Sequence, residues 1–367
     1  MDERTAPVEL NLDRLLFRRQ FLLGPREFLP NQFWTSLPLN QDLFLSIHVD
    51  LPCRVKRHGD NMIALIGLAF DATNPGFDED LILEMLFMEF GSFESLIKKT
   101  EPLAGRWIII YQDTENTYLF NDTFGFRSIY YHDDGINQWC ASQPELIRTQ
   151  CELKYSKDSN LLAYIHSSEF SKKESPFYGS KTIYENCSHL LPNHYLDLRQ
   201  TRSIRFYPSG SSATQKTREM VVEETAELLK GIFSAVTNRH ETALALTSGW
   251  DSRLLLAASN EFQGKIQYFT DRKGILSEDH PDVWVSRALA GKSGLNFEVI
   301  SSELELPGWF ISLLSKSVTC ARVLPKSRMI YSKYLGRDQR VYLNGNGGEI
   351  FRNYYDKTCR YTRNASK

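Results

Sequence analysis

The chain has 367 residues, enough for two domains of ordinary size, with 42% hydrophobic and 24% charged residues, the balance of a soluble globular protein. A formal net charge of −2 gives no bulk electrostatic drive toward nucleic acid or an anionic membrane. No apolar run approaches the ~20 residues that span a bilayer, and the first residues lack the basic-then-apolar pattern of a signal peptide.

The six cysteines (Cys53, Cys140, Cys151, Cys187, Cys320, Cys359) are scattered, with no C-x-x-C pair and no histidines at zinc spacing. That pattern predicts reduced thiols in a cytoplasmic protein, not a disulfide frame or a metal centre.

In chain order, residues 15–23 mix apolar and basic side chains and read as a strand pair or a helix. Strands are predicted over 43–49 and 62–67, with the polar segment 57–61 as the turn between them. Residues 78–90 read as a helix with Leu81, Met85 and Met88 on one face. A meander follows: strands at 105–111, 117–120, 128–132 and 136–141, with turns at 113–116 and 133–135. Its loop 121–127 carries Asp122 and Arg127, which read as structural residues that fix the loop by local hydrogen bonds. Residues 190–198 end in an alternating strand, and the small polar run 209–215 reads as a linker. The predicted division is a mainly antiparallel β domain over 1–208 and a second domain over 209–367.

Beyond the linker the period changes. Val222, Ala226, Leu229, Phe233 and Val236 follow 4-3-4-3 spacing, one apolar helix face. Residues 243–246 are apolar without alternation, as in a strand covered on both faces. Helices at 252–259, 282–291 and 309–318 alternate with strands at 266–269, 297–300 and 340–343. This is the pattern of a parallel α/β layer with right-handed crossovers, so the fold class is α+β followed by α/β. Ligands in such sheets bind at the carboxyl ends of the strands.

Two loops lie at such ends. Thr247, Ser248 and Gly249 are small enough for a phosphate to approach the backbone, and Asp251 and Ser252 stand where a helix N-terminus begins. Asn344-Gly-Asn-Gly-Gly-Glu349 adds three glycines and a second carboxylate. Asp251 and Glu349 facing bound phosphates would suit Mg²⁺, which prefers oxygen ligands. Neither loop is a Walker A sequence, and Ile350 stands where a dinucleotide fingerprint needs its last glycine. The plain readings are a strand-to-helix turn with Asp251 or Ser252 as N-cap, a glycine turn closing a strand, and Trp250 packed under the loop. His194 and His280 read as structural or surface residues.

Thr247-Ser-Gly-Trp-Asp-Ser252 resembles the S-G-G-x-D-S pyrophosphate loop of the ATP-pyrophosphatase superfamily. Other segments narrow the resemblance to the asparagine synthetases. Asn121-Asp-Thr-Phe-Gly-Phe-Arg-Ser-Ile-Tyr-Tyr131 and Ala141-Ser-Gln143 resemble their R-D-x-x-G-x-x-P-L-Y-Y and A-S-E signatures. Leu190-Leu-Pro-Asn-His-Tyr-Leu196 resembles L-x-P-G-H-Y-L, and Gly345-Asn-Gly-Gly-Glu-Ile-Phe351 resembles G-x-G-x-D-E-x-F. The resemblance implies ATP and Mg²⁺ as cofactors, activation of a carboxylate as an acyl-adenylate, and amide formation by a nitrogen nucleophile. It implies that Thr247, Ser248, Gly249 and Ser252 hold the pyrophosphate. Leu246, Phe269, Asn344, Gly345 and Gly347 would contact the nucleotide. Asp251 and Glu349 would be the catalytic and metal-binding carboxylates.

The departures shape the expected activity. A glutamine-hydrolysing member carries Cys at position two, where this chain has Asp2, and the N-G-E-x-Y-N oxyanion segment is missing. Residues 1–208 are therefore expected to be a degenerate class II glutamine amidotransferase-like domain with an Ntn-hydrolase-like fold and no glutaminase activity. The resemblance on this point is to β-lactam synthetases and lasso-peptide cyclases. Ser248 replaces the loop's first glycine, and the Gly345 loop is one residue short. Only Lys357 and Lys367 follow that loop, at spacings unlike the family's late lysine, so residues 209–367 read as a truncated synthetase domain. The expected activity is an ATP- and Mg²⁺-dependent carboxylate–amine ligase acting on a small-molecule or peptide carboxylate and an amine or ammonia. An ammonia-dependent asparagine synthetase and an inactive nucleotide-binding scaffold are the alternatives. Expected partners exclude nucleic acid and membrane and include a homodimer or a separately encoded C-terminal part.

Overall fold

The computed structural model describes residues 11–172, 177, 179–208, 216–301, 305–324, 327–328, 330–331 and 340–348. The expected linker 209–215 lies outside the described residues. The chain divides into two compact units: Met1–Asp71, Phe77–Lys216 and Glu305–Tyr331 form the first, and Ala72–Gly76, Thr217–Leu304 and Ser332–Lys367 the second.

In the first unit the strands are β1 (Phe21–Gly24), β2 (Trp34–Asn40), β3 (Leu43–His48), β4 (Cys53–His58), β5 (Asn61–Asp71) and β6 (Leu103–Gln112). They continue with β7 (Thr117–Asn121), β8 (Tyr130–Asp133), β9 (Gln138–Ala141), β10 (Cys187–His189), β11 (His194–Asp197) and β12 (Arg202–Arg205). They form two six-stranded sheets, ordered β10-β8-β9-β1-β3-β2 and β12-β11-β7-β6-β5-β4. Every pairing in both is antiparallel.

Side-chain alternation builds the layers. Met62, Ala64 and Ile66 of β5 and Ile108 and Ile110 of β6 pack with Phe21, Leu23, Leu45 and Ile47 of the other sheet. The intervening Ile63, Leu65, Ile109 and Tyr111 pack with Ile82, Leu83, Leu86 and Leu96. Those four belong to helices Glu79–Met88 and Phe93–Lys99. On the outer side of the first sheet, Leu22, Trp139 and Ala141 pack with Leu146 and Ile147 of helix Pro144–Arg148. The layers run helix, sheet, sheet, helix. Strands buried on both faces carry apolar residues at consecutive positions, which explains the unbroken runs of β5 and β6.

Three expectations change here. Residues 57–61 are not a simple turn, because β4 occupies Cys53–His58 and the reversal is the short His58–Asn61 hairpin. β4 is an edge strand with polar, half-exposed residues, so its alternation is weak. Helix Glu79–Met88 buries Ile82, Leu83 and Leu86, while Leu81 and Met88 are exposed. Leu81, Ile82, Leu83, Met85, Leu86, Phe87 and Met88 are apolar almost all round, so helical spacing alone does not select the buried face. Residues 15–23 are neither a strand pair nor one helix: a single helical turn, Leu12–Leu15, precedes β1.

The second unit holds β13 (Thr242–Ala245), β14 (Ile266–Asp271), β15 (Phe297–Ile300) and β16 (Val341–Leu343), a parallel sheet ordered β15-β14-β13-β16. Its core joins Phe233 of helix Arg218–Arg239 to Leu244, Ile266 and Tyr268. Phe233 and Val236 are buried, but Val222, at the other end of the expected stripe, is exposed. Gly231 allows this helix to approach the segment Ala72–Gly76: a Cβ there would lie 1.9 Å from the Ala72 carbonyl oxygen. Helix Gly308–Ser317, expected to pack in the α/β layer, belongs to the first unit. There the Phe17 amide donates to Ser317 Oγ (3.2 Å), and Gln20 Nε2 donates to the Ser317 carbonyl (2.9 Å).

Among the described residues, no helix is long and apolar enough to cross a membrane, and Cys53, Cys140, Cys151, Cys187 and Cys320 are free thiols.

Candidate functional site

The parallel sheet places a crevice by its topology. From β13 the chain adds β14 and then β15 on one side, and β16 lies on the other side of β13. The order of strands therefore reverses between β13 and β16, the point at which open α/β sheets bind ligands outside the carboxyl ends of their strands. Thr242 pairs with Val341 and Leu244 with Leu343, so the loops after β13 and β16 emerge side by side.

The first loop is held by its own side chains. The Leu246 amide donates to the Phe269 carbonyl (2.8 Å), and Thr270 Oγ1 donates to the Leu246 carbonyl (2.7 Å), which anchors the loop to β14. The Thr247 amide donates to Ser252 Oγ (3.1 Å), and the Ser252 hydroxyl lies 3.0 Å from the Thr247 carbonyl and 3.1 Å from that of Gly249. Thr247 Oγ1 is 2.9 Å from Ser252 Oγ and accepts from the Gly249 amide (3.2 Å). Helix Trp250–Ala258 follows with Gly249 as its N-cap. The expected caps were Asp251 or Ser252. Both lie inside the first turn, and Ser252 spends its hydroxyl closing the loop.

The two loops meet at Asp251. A Cβ on Gly345 would lie 2.7 Å from Asp251 Cβ, and one on Gly348 would lie 2.4 Å from Asp251 Oδ1. Both positions therefore need glycine for close approach. Gly347 adds a left-handed φ of 94°, and Asn344 Oδ1 accepts from the Asn346 amide (3.0 Å) inside the same loop. Glu349, the expected second carboxylate, lies outside the described residues. Leu246 and Phe269, expected nucleotide contacts, are buried, and the Phe269 ring packs edge-on against Tyr342 at 5.5 Å. Trp250 is not packed beneath the loop: it is 70% exposed, with the Arg253 guanidinium 4.5 Å from its ring centroid.

Asp282 is the site residue that sequence reasoning missed. Its Oδ1 accepts from the Ser248 amide (3.0 Å) and from the Ser248 hydroxyl (2.6 Å). It stands at the second position of helix Pro281–Ser293, whose N-cap His280 accepts the Asp282 amide on Nδ1 (3.2 Å). An acidic residue in a first helical turn is ordinary, so nothing in the local sequence marks its reach to the loop.

In the first unit, Asp122 fixes its loop as expected. Its carboxylate accepts the amides of Phe124 (3.3 Å), Phe126 (2.9 Å) and Arg127 (2.8 Å). Arg127 Nη1 donates to the Arg19 carbonyl (3.1 Å). His194 Nδ1 lies 2.9 Å from the Pro192 carbonyl and is a structural contact. Burial pushes the Cys53 and Cys187 thiols up to about 12 and the Cys151 thiol up to about 11. Cys140 and Cys320 are raised by burial as well. A nucleophilic cysteine needs the opposite shift.

No family model matches the chain, and no curated protein matches it. Among solved structures, 24 chains match. One is the glutamine phosphoribosylpyrophosphate amidotransferase from B. subtilis complexed with ADP and GMP. That chain is 11% identical, with a TM-score of 0.32, and the similarity covers 70% of this chain and 61% of that one. The chain thus spans less than two thirds of that protein's length.

Proposed function

We propose that the second unit is an ATP-pyrophosphatase-type nucleotide site and that the protein is a carboxylate–amine ligase of the asparagine-synthetase class. The observation that carries this reading is the convergence of two glycine-bearing loops on Asp251 where the strand order reverses. The donor set fits a magnesium–nucleotide: one carboxylate, two small hydroxyls (Thr247 and Ser248) and the start of a nine-residue helix. Among the described residues no group of three acidic, histidine or cysteine side chains could hold a metal by itself. Mg²⁺ takes one or two carboxylates and completes its shell with substrate phosphates and water, a part that Asp251 would fill.

In this reading the loop 247–249 and the start of the helix after it would hold the β- and γ-phosphates, Ser252 would keep that loop closed, and Asp251 would help hold a Mg²⁺ that screens the phosphate charge. Gly345 and Gly348, having no side chain, let the second loop lie directly against Asp251, which brings both loops to one carboxylate. The acid attacks the α-phosphate, pyrophosphate leaves, and an amine displaces AMP from the acyl-adenylate. The first unit is read as a glutamine amidotransferase-like domain that has lost its glutaminase; support comes from its helix–sheet–sheet–helix layering and from thiols held protonated by burial.

Exchange of labelled pyrophosphate into ATP across a panel of carboxylic acids tests the reading. Acid-dependent exchange that disappears in Asp251→Asn is the expected result. Folded protein that exchanges with no acid and binds no ATP would sink it.

A further inference from the structure

The loop's anion donors already hold an anion. The Ser248 amide and the Ser248 hydroxyl both point at one oxygen, Asp282 Oδ1, at 3.0 and 2.6 Å. One oxygen taking an N–H and an O–H from the same loop residue is how such a loop would grip a phosphate oxygen. The other two loop amides close internally, Thr247 on Ser252 and Gly249 on Thr247 Oγ1. Both of those bonds are made to neutral hydroxyl oxygens. Of these three amides it is that of Ser248 which donates to a carboxylate, and Ser248 is also the position where the related loop carries glycine instead of a hydroxyl.

The carboxylate comes from outside the loop. Asp282 sits 34 positions along the chain from Ser248, on the helix that follows β14. Its own helix supplies no reason for the reach, because a first-turn aspartate is stabilised by the helix dipole whether or not it touches another segment. A doubly anchored carboxylate and an incoming phosphate cannot share the same two donors, since like charges at that separation repel strongly.

We infer that Asp282 is a built-in competitor for the phosphate cradle: its carboxylate occupies Ser248 until a diphosphate-bearing ligand displaces it. The inference rests on the proposed nucleotide reading of the loop, and it makes Asp282 a positioning residue that sets ligand affinity without touching the reacting atoms. Magnesium pyrophosphate then binds by exchange, with Ser248 passing from Asp282 to a phosphate oxygen.

Calorimetric titration of the full chain with magnesium pyrophosphate, against Asp282→Asn and Asp282→Ala, tests this. Asp282→Asn keeps the shape and an acceptor but removes the competing charge, so its affinity should rise by about tenfold, equivalent to about 1.4 kcal/mol. Asp282→Ala removes the carboxylate altogether, leaves both Ser248 donors to the ligand and should tighten binding by at least the same factor; it also serves if Asp282→Asn does not fold. Wild-type binding that weakens in both variants would overturn the inference and leave the functional reading standing, because Asp282 would then be shaping the loop for its ligand. Absence of pyrophosphate binding to the wild type and to both folded variants would remove the functional reading and this inference together.

Discussion

A methyl group on Gly345 would stand 2.7 Å from the Cβ of Asp251, 3.0 Å from its carbonyl carbon and 3.2 Å from the Ser252 amide nitrogen. Those are backbone and near-backbone atoms of a helix start, and they cannot rotate away. Gly345→Ala must therefore shift the first turn of helix Trp250–Ala258 or the loop after β16. Overpacking of this kind costs about 1–3 kcal/mol. The expected result is a lower melting temperature and loss of magnesium–ATP binding in the same variant. Gly264→Ala, where nothing lies within 4 Å, should leave ATP binding unchanged. Equal ATP affinity in Gly345→Ala and the wild type would show that the two loops do not form one site.

Ser252 holds the first loop from inside. It is buried, and its hydroxyl accepts the Thr247 amide while lying within reach of two carbonyls. Ser252→Ala leaves that amide without its acceptor, and an unsatisfied buried donor costs about 1–3 kcal/mol. Chemical denaturation should show a loss in that range, and amide exchange at Thr247 should quicken. Unchanged exchange at that amide would mean the hydroxyl does not close the loop.

Much of this site is legible in the sequence. Small residues between an apolar strand and a helix start are a local signal, and both loops fall at strand ends as the alternation of elements predicts. Their meeting follows from both loops lying at strand ends, but which strands are neighbours does not: contact between 251 and 345–348 depends on β16 lying beside β13, which periodicity does not encode. Asp282 was not legible at all, since its role is a contact across 34 positions from an ordinary first-turn residue. In the first unit, the central strands announced themselves by unbroken apolar runs. The edge strands β2 and β4 did not: partial exposure dilutes their alternation, and Pro38 breaks the pattern in β2.

Gly231 and Gly291 should respond oppositely to the same substitution. Each lies within a helix, where Gly→Ala ordinarily gains about 0.5–1 kcal/mol from propensity. Gly291 is exposed with nothing within 4 Å of an added Cβ, so Gly291→Ala should raise stability by about that amount. At Gly231 the added carbon would lie 1.9 Å from the Ala72 carbonyl oxygen and 2.8 Å from its carbon. The backbone must part there, so Gly231→Ala should cost about 1–3 kcal/mol or more. Thermal melts of the two single variants decide this; a stabilised Gly231→Ala would show that helix Arg218–Arg239 does not rest against Ala72.

Asp50 gives the first unit a defined acid limb. Arg14 Nη2 reaches Asp50 Oδ1 at 2.7 Å and Arg18 Nε reaches Oδ2 at 2.6 Å. The Asp50 amide donates to His48 Nδ1 (3.0 Å), which leaves the His48 proton on Nε2, 2.8 Å from the Arg14 carbonyl. Burial alone would raise the Asp50 carboxyl, but the hydrogen bonds and charges of the two arginines outweigh it and hold it at about 2. In the unfolded chain an aspartate titrates near ~3.9. Its folded value is thus depressed, and the carboxylate contributes stability that is fully present above about pH 4 and is lost as pH falls toward 2. A separation of nearly two units corresponds to about 2 kcal/mol. Burial also lowers His48, so the wild type loses some stability below its ordinary titration range. Comparison with Asp50→Asn reports the carboxylate below the range in which His48 titrates, because the Asp50 charge also acts on His48. The stability difference between wild type and Asp50→Asn, measured by urea denaturation, should shrink by about 2 kcal/mol as the pH falls from about 5 toward 2. A difference that does not change with pH would mean that Asp50 acts by packing and not as a buried, doubly paired charge.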